Sequence, residues 1–449
     1  MSSKKPIIVV GAGLSGTLLA IRMAQRGNTV KLFEKRPDLR KVDISAGRSI
    51  NLALSHRGLM ALDRAGMRQH VLEECIPMRG RMIHSVEGDL HFSAYSGRED
   101  EYINSVSRGG LNEALLDEAD RIGAVETYFN QTCLNVDLEQ AKATFRHEET
   151  GQVMEVEGEV IFGADGAGSA VRRSMMARTN ELLFNYSQHF LQHGYKELTI
   201  PPSEDGGFRI ERNALHIWPR GNFMVIALPN LDGSFTVTMF HPYGGEIGFD
   251  ALDTRDKVKT FFETYFADLL PHMPNYLEEY FENPVSNLGT IRCYPWQAFG
   301  KALILGDAAH AIVPFYGQGM NASFEDVRVF DDLMDDFDGN WETLFTRFQD
   351  LRAKNANAIA DLALDNFYEM RDHVADPVFT KKRTLERQLE DTYADYYSKY
   401  SLVTFKPEMP YAQAMELGRK QDELLMQLCA GGETPSLQDA YTQLMALQD

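Results

Sequence analysis

The stretch KPIIVVGAGLSGTLLAIRMAQRGNTVKLFEKR, Lys5 to Arg36, constrains the fold more than any other. Ile7 to Val10 form a short, uninterrupted apolar run, the pattern of a parallel strand covered on both faces. GAGLSG follows at once, and Leu14, Leu18, Leu19 and Met23 then recur at helical spacing until Gly27 and Asn28 stop the helix. Val30 to Phe33 make a second strand ending at Glu34. Gly11, Gly13 and Gly16 permit a tight turn and let the backbone approach a pyrophosphate, which then lies at a helix N-terminus. Glu34 sits near the roughly 20-residue offset expected of an acid that binds a ribose hydroxyl. Together these predict a Rossmann-type dinucleotide site, and the acid favours NAD or FAD over NADP.

Three later segments bear on that site. GADGAG (Gly163 to Gly168) follows the apolar run EVIF, and two readings of Asp165 stand. It caps the next helix, or its turn covers part of a bound dinucleotide. ALILGDAAH puts Asp307 just past a buried strand, where it either caps a helix or accepts a hydrogen bond from a polyol hydroxyl of a cofactor. GQGMNA (Gly317 to Ala322) matches the loose dinucleotide pattern, yet Pro314, Phe315 and Tyr316 separate it from the strand and an amphipathic helix follows it. It therefore reads as a glycine-rich helix start whose free N–H groups suit a delocalised anion, such as the edge of a reduced flavin. His310, after three small residues and before an apolar run, reads as a packed histidine and not as a base. No Ser/His/Asp set, HExxH or paired carboxylates emerge, which leaves the hard chemistry to a cofactor.

Elsewhere, residues 50 to 75 are mostly helical in period, and RGRMIHSVEGDLHFSAY alternates as paired strands around Gly88-Asp89. Arg108 to Ile122 is an amphipathic helix. ALHIWPRGNFMVIALPNLDGSFTVTMF reads as alternating strands with a hairpin at Asp232-Gly233. The chain is strongly helical from about Ser323 onward. The expected plan is α/β: a Rossmann-type domain in two parts (1–180 and 289–375), an inserted antiparallel sheet (181–288) and a helical C-terminal region (376–449). A formal net charge of −20 argues against nucleic acid and anionic lipid as partners. Four scattered cysteines form no metal or disulfide framework and read as free thiols in a reducing cytosol. No apolar run approaches a membrane span, and nothing in the sequence calls for a metal or an obligate protein partner.

One nucleotide fold, a central GADG, a later GD and a helix beginning GQGMN resemble the single-component, FAD-dependent aromatic hydroxylases over most of the chain. RSINLALSHRG, HAIVPFYGQGMNASFED and DNFYEMRDHV resemble the kynurenine-hydroxylating branch of that family. The resemblance implies tightly bound FAD, NADPH as a transient reductant, O2 as co-substrate and hydroxylation of L-kynurenine through a C4a-hydroperoxyflavin. It assigns Glu34, Arg108 and Asp307 to FAD, with Gly319, Met320 and Asn321 facing the isoalloxazine. It assigns Arg81, Tyr95, Asn366 and Tyr400 to the amino-acid head group; a surface ion pair is the lesser alternative for Arg81. Leu215, Ile226, Thr238, Phe240 and Met370 would line the ring pocket, with Pro314 and Phe315 beside the ring; sheet packing alone would also explain the strand residues. Eukaryotic members carry a C-terminal membrane anchor, and the lack of one here implies a cytoplasmic, bacterial enzyme. The rival readings are a hydroxylase of another aromatic and a flavoprotein-fold protein that binds partners without redox chemistry.

Overall fold

A computed structural model describes residues 5–42, 51–369, 377–431 and 436–447. Met370, and the Arg48 end of RSINLALSHRG, lie outside the described residues. The architecture is α/β. Its central sheet has six strands, with Ile7–Val10 between Val30–Phe33 and Ile161–Gly163. Val125–Tyr128 and Ala302–Ile304 extend it on either side in parallel, and Gln297–Ala298 closes one edge antiparallel. Because Ile7–Val10, Ile161–Gly163 and Ala302–Ile304 are parallel neighbours, their carboxyl ends lie side by side. The GAGLSG, GADGAG and GDAAH turns consequently converge on one edge, where ligands of such sheets bind. The convergence is tight: a Cβ on Gly11, at φ +102°, would lie 2.5 Å from the Ala164 carbonyl oxygen.

A second sheet of seven strands runs in the order Ser286–Tyr294, Asn185–Ile200, Phe235–Pro242, Phe223–Pro229, Ala214–Arg220, Gly80–His84, Leu90–Ala94. The hairpin at Asp232-Gly233 is present, with Gly233 at φ +85° and the Asp232 carboxylate accepting from Ser234 N–H at 3.0 Å. The sheet is not wholly antiparallel, because Gly80–His84 pairs in parallel with Ala214–Arg220. It also recruits residues 80–94, far upstream of the middle third. Alternation divides its two faces. Trp218, Val225, Ala227, Phe235, Val237 and Met239 pack on the helices Arg255–Tyr265 and Tyr276–Glu282. The opposite face looks toward the dinucleotide edge.

One expectation fails locally. Asn51–Leu54 is a strand, not the start of a helix, and pairs antiparallel with Ile103–Ser107. NLAL carries too few residues to show a period, so pairing partners decide its state. Helices His56–Arg64 and Arg68–Glu73 follow as read. The C-terminal third contains the helices Gly319–Leu333, Trp341–Tyr368, Pro377–Thr392, Lys399–Phe405, Tyr411–Ala430 and Leu437–Met445.

Candidate active site

A continuous cavity of about 1440 Å³ runs from the strand ends of the first sheet to the second sheet. At the dinucleotide end, Gly13 borders it, and a Cβ there would meet nothing within 4 Å. Packing does not require that glycine; the approach of a ligand would. Gly11 also borders the cavity, whereas Gly16 is buried against Gly11. Glu34 accepts from Ala12 N–H at 3.0 Å and from Arg36 Nε at 2.8 Å, which ties the second strand to the glycine loop. Arg108, exposed at the start of the helix Arg108–Ile122, and Asp307, exposed at the start of Asp307–His310, line the same end.

Asp165 fits both of its readings. One oxygen accepts from Ala170 N–H at 2.6 Å and caps the helix; the other is buried with no partner. Burial pushes its pKa up. An orphaned acceptor in the cavity wall, an open glycine at a helix start and an acid on each flanking strand form a donor and acceptor set that fits FAD. Gly319 and Met320 line the junction between the two ends. Asn321 does not reach the cavity: its side chain accepts from Ser55 N–H at 2.9 Å and donates to Ala53 and Gly317 carbonyls at 2.8 and 3.0 Å. It clamps the helix start to the turn after Asn51–Leu54. His310 is packed, stacked on Trp296 and 2.6 Å from Asp326.

At the sheet end, alternation turns Arg81, Leu215, Ile226, Thr238 and Phe240 into the cavity. Arg81 pairs in register with Leu215, and Ile226 with Thr238. The Arg81 guanidinium lies over the rings of Tyr400 and Tyr95, at 4.6 and 5.3 Å, and has no carboxylate partner among the described residues. Burial pulls its pKa down and the Tyr400 and Tyr95 hydroxyls pull it up, with a net rise. Burial also raises the pKa of Tyr95, Tyr400 and Tyr316, so all three phenols stay protonated and able to donate. The Tyr95 and Thr238 hydroxyls are buried without hydrogen-bond partners among the described residues. Phe315 packs on Phe240 and Phe367, and its carbonyl accepts from the Asn366 amide at 2.5 Å. Pro314 stands beside it in the lining.

A family model described as FAD binding domain matches residues 4–331. A kynurenine 3-monooxygenase from Myxococcus xanthus is 45% identical over 429 residues, covering 95% of this chain and 91% of that protein. The chain belongs to the kynurenine 3-monooxygenase family. Another member, from Dictyostelium discoideum, is 43% identical over 442 residues, 96% of this chain and 94% of its own. Family membership makes the protein an FAD-dependent monooxygenase. Among solved structures, 2-methyl-3-hydroxypyridine-5-carboxylic acid oxygenase superposes with TM-score 0.66 at 21% identity, over 84% of this chain and 95% of its own. PqsL of Pseudomonas aeruginosa superposes with TM-score 0.66 at 18% identity, over 82% of this chain and 97% of its own. These two share the fold. No helix among the described residues is long and apolar enough to cross a membrane.

Sequence reasoning missed several lining residues. Arg36 and Arg173 flank the dinucleotide end, and Arg36 directly follows the strand-end acid, a signal available in EKR. Glu369, Arg383 and Arg387 enter from the C-terminal helices, where no motif marks them.

Proposed function

We propose that this protein hydroxylates L-kynurenine beside its ring amino group, using NADPH and O2, to give 3-hydroxykynurenine. The observation that carries the substrate is Arg81, uncompensated and held between two protonated tyrosines at the far end of a cavity that begins at the dinucleotide loops. FAD, when bound, takes electrons from NADPH and supplies the activated oxygen. Gly11, Gly13, Glu34, Arg108, Asp165 and Asp307 would hold it from the strand ends, with Gly16 packing the turn behind them and Gly319, Met320 and Asn321 forming or bracing the wall at its reactive ring. Arg81 takes the substrate carboxylate in its planar fork, with Tyr95, Asn366 and Tyr400 completing the head-group site. Leu215, Ile226, Thr238, Phe240, Pro314 and Phe315 position the aromatic ring and exclude water from it. The ring amino group already donates electrons to the carbon that reacts, so the site needs no strong base. We assign the cofactor to 1–180 and 289–375, the substrate sheet to 181–288 with the 80–94 strands added, and 376–449 to a helical C-terminal region that packs on both. The bacterial relatives support a bacterial source.

Arg81→Ala tests the reading. Losing a charge-assisted pair should weaken kynurenine binding by about ten- to a hundredfold while FAD content stays at the wild-type level. An unchanged dissociation constant would contradict it.

A further inference from the structure

The helix Pro377–Thr392 turns one face into the cavity, presenting Phe379 and Thr380, then Arg383 and Thr384, then Arg387 at steps of three and four residues. Neither arginine has a part in the reading above. Arg387 has one distant partner among the described residues, Asp391 at 3.9 Å on the same helix. Arg383 makes no ion pair among the described residues, only a contact over the Phe379 ring at 5.7 Å. The carboxylates nearest in its field are committed elsewhere. Glu386 pairs with Lys382 at 3.1 Å, Glu369 with Lys399 at 2.7 Å, and Asp422 with both lysines at 2.5 Å.

Arg383 is exposed to the open cavity, and enclosure by the cavity walls together with Arg81 lowers its pKa, so the two guanidiniums share one field. A guanidinium cannot shed its proton to relieve this; Glu386, Glu369 and Asp422 offset it in part, and an incoming anion would complete the compensation. In a protein of net charge −20, a line of arginines inside a cavity departs from the general surface and concentrates field there. We propose that Arg383 and Arg387 form a second oxyanion subsite, carried by the C-terminal helix, that receives a carboxylate or phosphate separately from Arg81. The inference rests on the functional reading for its two sources: the substrate carboxylate on its way to Arg81, or a phosphate of the dinucleotide reductant.

The test uses FAD-loaded protein carrying Arg383→Gln, Arg387→Gln or both, with Arg383→Lys and Arg387→Lys as charge-preserving controls. Binding of L-kynurenine is followed by perturbation of the flavin spectrum, and binding of NADP+ by calorimetry, each at low and high salt. The double glutamine variant should lose on the order of tenfold or more in affinity for one of them, with a flatter salt dependence, and the lysine variants should recover most of it. A loss confined to kynurenine, and absent with its decarboxylated amine analogue, assigns the subsite to the carboxylate. A loss confined to NADP+ assigns it to phosphate. Wild-type affinity and salt dependence for both molecules in the double variant would overturn the subsite. If the double variant misfolds, Arg387→Gln alone, on an exposed position, carries the same expectation and the same refutation. Failure of the wild-type protein to bind kynurenine would refute the functional reading instead, and the NADP+ arm would still decide the subsite.

Discussion

A methyl group placed on Gly16 would lie 1.9 Å from the Gly11 carbonyl oxygen, whereas one on Gly13 would meet no atom within 4 Å. Two glycines of one motif thus answer different demands, one from packing and one from the ligand. Gly16→Ala should destabilise the protein by about 1–3 kcal/mol, as overpacking does, read as a lower midpoint in urea unfolding. Gly13 has an ordinary φ of −75° that alanine adopts freely. Gly13→Ala should leave the unfolding midpoint of FAD-free protein unchanged and weaken FAD binding by about tenfold or more, because the backbone can no longer approach the pyrophosphate. Normal FAD affinity in that variant would refute the assignment. Asn321 shows the limit of motif reading at this scale. Its place in GQGMN suggested a flavin contact, but the amide is spent on Ser55, Ala53 and Gly317, residues distant in sequence.

The helix Gly319–Leu333 is anchored by a buried chain of charges. Glu325 pairs with Arg57 at 2.8 Å and Arg352 at 2.6 Å, and Asp326 pairs with Arg352 at 2.7 Å and accepts from Gly306 N–H at 2.8 Å. Arg57 continues the chain to the Val403 and Met409 carbonyls and stacks over Tyr411 at 3.9 Å. The element at the cavity junction is therefore braced both to the Asp307 turn and to the C-terminal helices. Arg352→Met would take a guanidinium away from two buried carboxylates, leaving Glu325 to Arg57 and Asp326 to His310 and the Gly306 N–H, and should cost about 3–5 kcal/mol, read by urea unfolding; a cost below about 1 kcal/mol, the level of a surface pair, would show that the chain of charges is not structural. The helix itself was legible from its start at GQGMN and from the proline and aromatics before it. Its bracing was not, since the partners come from three other segments and a periodic pattern records only which face is buried. Asn51–Leu54 was misread for a related reason: its state depends on Ile103–Ser107, which local pattern does not contain.

At the scale of the whole molecule, the parallel order of three strands brings three glycine turns together, and alternation in the second sheet faces the substrate wall toward them. The individual strands and the alternation were readable, because each follows from a period within one segment; the strand order that brings the turns together was not. The parallel docking of Gly80–His84 on Ala214–Arg220 and the entry of Arg383 depend on tertiary contacts and were not. The second sheet also carries a pH liability. Burial holds the fully buried His241 near a pKa of about 4 and lowers His84 in the same direction. An unfolded histidine titrates near 6.5, so the unfolded state binds the extra proton first. The stability these neutral rings confer is complete above about pH 6.5 and is lost as pH falls toward 4. For His241 the span is roughly 3 kcal/mol; His241→Phe should flatten the fall of the unfolding midpoint between these pH values, and an unchanged slope would refute the assignment. The proposed reaction can be read directly from its product. FAD-loaded protein supplied with NADPH, L-kynurenine and isotopically heavy O2 should form 3-hydroxykynurenine carrying one labelled oxygen atom, identified by product mass. Kynurenine-stimulated NADPH oxidation that yields only hydrogen peroxide, with no hydroxylated product, would contradict it.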